Sequence, residues 1–240
     1  MRWPTLPCAV LVLAACRSAE MPEDTTEWAE VRVHLVRPNW GAAREALRRA
    51  VLESPKNPEP ALMLADVERD AFADLQSARV IYGRWLGTPA RARALHGLGR
   101  CAWAEADRER ATEMFEESLA QKETPACARD AALLYLSLGD QAAADKHLEL
   151  AAKISAQAMR TELLLAAAGK FAMTGPLPTG WDYALDRARV EAAQGDDSNA
   201  ATHLALHVER ACANDAARKI ARRLAAEDFF LKGLTENPPR

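Results

Sequence analysis

Residues 98–118 read LGRCAWAEADRERATEMFEES, from Leu98 to Ser118, and this stretch decides the fold. Its first part, Leu98-Gly99-x2-Ala102, carries small and apolar residues at helical spacing. Its second part, Ala111-x3-Phe115-x2-Ser118, does the same after a polar break. The 12 residues from Gly99 to Ala111 suit two helices folded back on each other. The small residues let the helices approach closely, and Phe115 fills the space toward the next unit. The second part recurs as Ala43-x3-Leu47-x2-Ala50, Ala78-x3-Tyr82-x2-Trp85 and Ala144-x3-Leu148-x2-Ala151. Successive opening alanines are 35, 33 and 33 residues apart, a period that belongs to stacked helical hairpins.

The next unit repeats the whole pattern as Ala132-x2-Tyr135-x3-Gly139-x4-Ala144. On these residues the chain resembles the tetratricopeptide repeat family, whose helix-turn-helix unit is about 34 residues long. The resemblance covers residues 27–153 as four hairpins. It implies an all-α, right-handed α-solenoid with a concave binding face. Pro55 follows the first unit where that family often ends its second helix. Three positions depart from the pattern: Pro38 replaces a turn glycine, Ala65 or Asp66 stands where the second unit would show its glycine, and Ser118 is polar where alanine is usual.

Local signals agree with this architecture. Asn57-Pro58, Thr88-Pro89 and Thr124-Pro125 each set a capping side chain before a proline suited to the first helical position. Asp107 and Asp140 are expected to cap second helices, with Gly139 in a left-handed turn. Nothing between residues 27 and 233 alternates long enough to predict a strand.

After Lys153 the period breaks. Residues 159–172, with Leu163, Leu164, Leu165 and Phe171, predict an inserted apolar helix, followed by the breaker-rich connection 174–180. A fifth echo, Ala188-x6-Gly195-x4-Ala200-x3-Leu204, predicts another hairpin. Residues 214–233 then predict a terminal helix covering the open end of the array, so that 154–240 holds the insert, the fifth hairpin and the cap. Its cluster of Arg218, Lys219, Arg222 and Arg223 is expected to be a solvated face, and no nucleic-acid partner is expected.

The N-terminus carries a different signal. A short basic start at Arg2 precedes a mostly apolar run from Trp3 to Ala15, too short to span a bilayer, which needs about 20 residues. Leu13-Ala14-Ala15-Cys16 is similar to the lipobox of bacterial lipoprotein precursors. That resemblance implies removal of residues 1–15 and acylation of Cys16, with residues 16–26 as a flexible tether. The expected location is the bacterial cell envelope, lipid-anchored to the outer or inner membrane and facing the periplasm.

Composition excludes little but bounds the rest. Hydrophobic residues are 49% and charged residues 27% of the chain, ordinary for a water-soluble body. Net charge is −3, so neither a polyanion nor an acidic membrane surface is expected as main partner. Cys101, Cys127 and Cys212 lie on different predicted helices without metal or redox spacing, and read as small core residues or free thiols. His203-x3-His207 shares a helical face, yet Cys212 lies on the opposite side and no carboxylate is seen to complete a shell. No nucleophile motif, phosphate-binding glycine loop or paired-carboxylate spacing occurs, so no enzyme activity, cofactor or metal is expected.

One face is a candidate binding site. Arg93, His96, Arg100 and Trp103 form a stripe on the first helix of the third unit, apart from the inward Leu95, Leu98 and Ala102. In the tetratricopeptide family this side lines the concave groove, and Arg129 with Leu133 is placed on the same face of the fourth unit. The expectation is a groove with a positive floor and one large aromatic, holding an acidic protein or peptide segment. The chain is thus expected to act as a membrane-anchored interaction scaffold or assembly adaptor. The alternative is an accessory or glycan-binding subunit of an envelope enzyme complex.

Overall fold

The structure, a computed structural model, describes residues 39–154, 169, 184–232 and 234. The leader, Cys16, the tether, Pro38 and the predicted inserted helix lie outside the described residues. Ten α-helices and no strand are found among those residues: α1 Trp40–Glu53, α2 Pro58–Asp70, α3 Leu75–Gly83, α4 Arg91–Ala104, α5 Arg108–Gln121, α6 Pro125–Leu138, α7 Gln141–Ile154, α8 Ala184–Ala193, α9 Asp197–Ala211 and α10 Asp215–Glu227. Helices α1 to α7 each pack on the next, and α2 also touches α4. The pairs α2/α3, α4/α5 and α6/α7 are therefore stacked hairpins of a tetratricopeptide-like α-solenoid, with α1 as the second helix of the first unit.

The recurring positions are its core. Ala43, Ala78, Ala111 and Ala144 are all 0% exposed, and Leu47, Tyr82, Phe115 and Leu148 beside them are at most 1% exposed. Close packing also falls on the first helix: a Cβ on Gly99 would stand 2.6 Å from the Phe115 ring. Ser118 keeps its polar atom satisfied in this core, its Oγ donating to the Ala92 carbonyl at 2.7 Å.

The hairpin turns share one device. Ala73, Ala106, Gly139 and Gly195 each take positive φ, between 57° and 80°. Each is followed by an aspartate, Asp74, Asp107, Asp140 or Asp196, whose carboxylate accepts the backbone N–H three residues on. The left-handed residue reverses the chain and the aspartate starts the second helix. Asn57 and Thr124 cap α2 and α6 as the sequence predicts. Thr88 does not cap α4: it closes the preceding turn through the Trp85 carbonyl, and α4 begins at Arg91 without a side-chain cap.

Helices α8, α9 and α10 with the turn after them build a second core of Ala188, Ala200, Leu204, Val208, Ala225, Leu231 and Leu234. Within it, buried Arg189 donates to Asp228 at 2.9 Å and to Asp186 at 2.7 Å. At the start of the terminal helix Ala213 N–H and Asn214 Nδ2 meet the Ala71 and Phe72 carbonyls beyond α2, and from within it Arg223 meets the last carbonyls of α4.

Candidate functional site

The first helices α2, α4 and α6 stand side by side, and their facing side chains form a ladder of opposite charges. Arg93 on α4 pairs with Glu59 and, at 3.3 Å, with Asp66, both on α2. Arg100, two turns further along α4, lies 3.4 Å from Asp70 on α2 and 3.5 Å from Asp130 on α6. Between them His96 Nε2 is 2.8 Å from Asp130. Each rung joins consecutive units, and the Glu59–Arg93 and His96–Asp130 pairs are each 34 residues apart.

Beneath the ladder Tyr82 is fixed by two bonds. Its hydroxyl donates to Asp66 at 2.6 Å and accepts from buried Arg69, which also grips Asp70 with both arms at 2.7 Å. Burial alone would raise the Asp66 carboxyl; Arg69, Arg93, the Tyr82 hydroxyl and Arg100 outweigh it and hold it down at about 2. At Asp130 burial is likewise outweighed, by Arg100 and the His96 hydrogen bond, and the carboxyl is held well below its usual range. Arg93 is kept charged against burial by Asp66 and Glu59.

Arg93, His96 and Arg100 lie on one face of α4, and each of these side chains meets a carboxylate from a neighbouring unit. Glu59, Asp66, Asp70 and Asp130 are site residues that the sequence reading misses, although opposite charges one repeat apart are visible in the chain. Arg129 and Leu133 are buried at 9% and 8% exposure on α6, which packs on α5 and α7, and Phe230 joins the cluster around Leu133. Trp103 is no open platform: it is half-buried, edge-on to Phe115 at 6.3 Å, and shares a cluster with Phe230. Its backbone carbonyl and that of Ala104 accept from Arg223 of α10 at 3.1 and 2.5 Å.

Other candidate chemistry resolves into packing. Glu116 accepts the Tyr135 hydroxyl at 2.8 Å and lies 2.9 Å from His147 Nε2, with the two rings stacked at 5.3 Å, so it ties the third unit to the fourth. His203 meets Glu191 of α8 at 2.6 Å, a carboxylate that the sequence pattern does not reveal. Among the described residues no three His, Cys, Asp or Glu side chains come together as a metal site. Burial pushes the thiols of Cys101 and Cys212 up to about 11 and that of Cys127 to about 12, so none is a ready nucleophile. A small cleft of about 150 Å³ opens beside Leu98, Ala102 and Met114, bridged by the Arg79–Glu105 pair at 2.5 Å. No described helix is long and apolar enough to cross a membrane.

Fold and face together define an α-solenoid of tetratricopeptide-like hairpins with a charge-compensated ladder on its first helices. No protein-family model matches the chain, and no curated protein matches it. Among solved structures it is similar to TTC0263, a thermophilic TPR protein in Thermus thermophilus, at 16% identity over 84% of this chain and 98% of that one, with a TM-score of 0.49. It is similar to MamA at 14% identity over 75% and 93%, with a TM-score of 0.42. A tetratricopeptide repeat protein from Parabacteroides merdae ATCC 43184 is similar at 14% identity over 82% and 97%, with a TM-score of 0.41.

Proposed function

We propose that the chain is a protein-interaction scaffold of the bacterial cell envelope, tethered to a membrane through acylated Cys16 and catalysing no reaction of its own. The observation that carries the scaffold reading is the ladder: half-exposed charges of both signs, held in fixed positions by pairing across α2, α4 and α6. Such a face favours a partner segment of alternating charge rather than a purely acidic one. Net attraction is small, and selectivity comes from matching each rung. The anchoring reading is supported by the Leu13-Ala14-Ala15-Cys16 sequence, and two acyl chains at about 0.8 kcal/mol per buried methylene suffice for stable attachment.

The two parts are tested separately. Arg100→Gln with Asp130→Asn removes the central rungs with little change of shape. Proteins cross-linked to the wild type in detergent-solubilised envelopes should be lost from this variant while its helical circular dichroism is retained. Recovery of the same proteins at physiological salt would show that binding lies elsewhere. For the anchor, Cys16→Ser should shift the protein from the membrane fraction to the soluble one or leave an uncleaved precursor. A soluble wild type with an unmodified N-terminus overturns the anchor.

A further inference from the structure

The ladder has a register as well as a charge pattern. From Glu59 to Asp70, α2 is buried except at Glu59, Met63, Asp66 and Asp70, a spacing of 4, 3 and 4. From Arg93 to Ala104, α4 is buried except at Arg93, His96, Arg100 and Trp103, spaced 3, 4 and 3, and at Leu98, which lines the cleft beside Arg79. The charged members of both stripes are open to solvent, with side chains between 34% and 43% exposed. Glu59 and Asp66 meet Arg93, and Asp70 meets Arg100, so the two helices run in the same direction and their stripes lie side by side.

That register selects the shape of what can lie on it. At about 1.5 Å per residue, the α2 stripe has members at about 6, 10.5 and 16.5 Å from Glu59 along the helix axis. A helix laid alongside has the same rise and presents side chains at the same intervals along its whole length. An extended segment returns a side chain to the same face about every 6.6 Å, and is about 3 Å out of register by Asp66 and Asp70. A polyproline segment returns one about every 9 Å and passes over the intermediate members. The rungs need not break to receive such a helix. A carboxylate accepts several hydrogen bonds and a guanidinium donates five, so each paired group can add a contact from an incoming chain.

We propose that the partner segment held by the ladder is an α-helix with charges recurring every seven residues, basic on the flank above Glu59, Asp66 and Asp70 and acidic on the flank above Arg93 and Arg100. Small apolar side chains run between the flanks and rest on Met63 and His96, the uncharged thioether adapting to their shape. Attraction comes from opposite charges on each flank, and selectivity from the seven-residue register. The inference rests on the scaffold reading and specifies the kind of partner.

The test uses the full chain and three fluorescein-labelled synthetic peptides of equal charge. The first is a three-heptad alanine-rich helix with Glu along one flank and Lys along the other at seven-residue intervals. The second has the same composition with the charges at five-residue intervals, which scatters them around the helix. The third is proline-rich, with charges every third residue. Fluorescence polarisation at low salt should show the first binding about fivefold more tightly than the second or better, and salt should weaken it. Arg93→Gln with Arg100→Gln should remove that preference. Equal binding of the first two peptides to the wild type, tighter binding of the proline-rich one, or no binding of any overturns the helical inference without need of a variant. The scaffold reading fails on a different result, the recovery of the same envelope proteins by the Arg100→Gln, Asp130→Asn variant.

Discussion

Gly97 on α4 faces the ring of Tyr82 on α3 so closely that a Cβ at Gly97 would stand 2.3 Å from the ring carbons. The ring has no room to retreat, since its hydroxyl is held by Asp66 and Arg69. Gly97→Ala should therefore destabilise the protein by about 2 kcal/mol, overpacking outweighing the roughly 1 kcal/mol that alanine gains in a helix. Gly83 has open space where its Cβ would be, and Gly83→Ala should raise stability by about 0.5 kcal/mol. Urea midpoints of the two variants, moving in opposite directions, check both.

Ala73 and Ala106 occupy left-handed turn positions that glycine fills at Gly139 and Gly195. An L-residue there costs about 1–2 kcal/mol, partly offset by the entropy that glycine loses on folding. Ala106→Gly should raise the melting temperature, with a gain of about 0.5–1 kcal/mol, and Gly139→Ala should lower it by a similar amount. Both are read from thermal unfolding followed by circular dichroism.

The ladder gives the protein an acid sensitivity of known sign. Asp66 titrates at about 2 in the folded chain against an ordinary 3.8, so the unfolded chain binds more protons between these values. Its contribution is complete above about pH 4 and is lost as pH falls toward 2. The side chain is 39% exposed, and water screens the pairing, so the effect should be about 1 kcal/mol. Asp130, also held low, loses its contribution as acidity rises further. The gap in stability between wild type and Asp66→Asn, measured by urea unfolding at about pH 6 and about pH 2.5, should narrow at the lower pH.

Asp228, just past the end of α10, lies 8% exposed against Arg189. Asp228→Ala leaves that guanidinium buried with Asp186 and should cost the C-terminal body about 3 kcal/mol. Asp215→Ala, at a carboxylate that is 98% exposed, should change stability by about 0.5 kcal/mol or less. Hydrogen-exchange protection of α8 and α9 distinguishes the two.

The stacked hairpins are legible in the sequence because their evidence is local and periodic. Ala43, Ala78, Ala111 and Ala144 recur at nearly one interval, and helix-to-helix contact leaves its mark in small residues. The left-handed turns at Ala73 and Ala106 are less visible, since alanine does not advertise positive φ as glycine does. The stripe on α4 emerges from its helical spacing. Its neutralisation by Glu59, Asp66, Asp70 and Asp130 does not, because spacing along one helix says nothing of the charges on its neighbours. Wholly hidden from the sequence is the seam between Arg223 and the Trp103 and Ala104 carbonyls. It joins residues 120 and 119 positions apart through backbone atoms, which carry no residue-type signal.

The rungs between α2, α4 and α6 also restrict how such a chain can change by gain or loss of a whole unit. In an array of identical modules any one can be excised and its neighbours will rejoin. Here each hairpin carries an address written in charge: α2 presents Glu59, Asp66 and Asp70, α4 answers with Arg93 and Arg100, and α6 returns Asp130. Deleting the middle hairpin would bring the α2 carboxylates face to face with Asp130, like against like. The order of the hairpins is thereby fixed by electrostatics as well as by the chain.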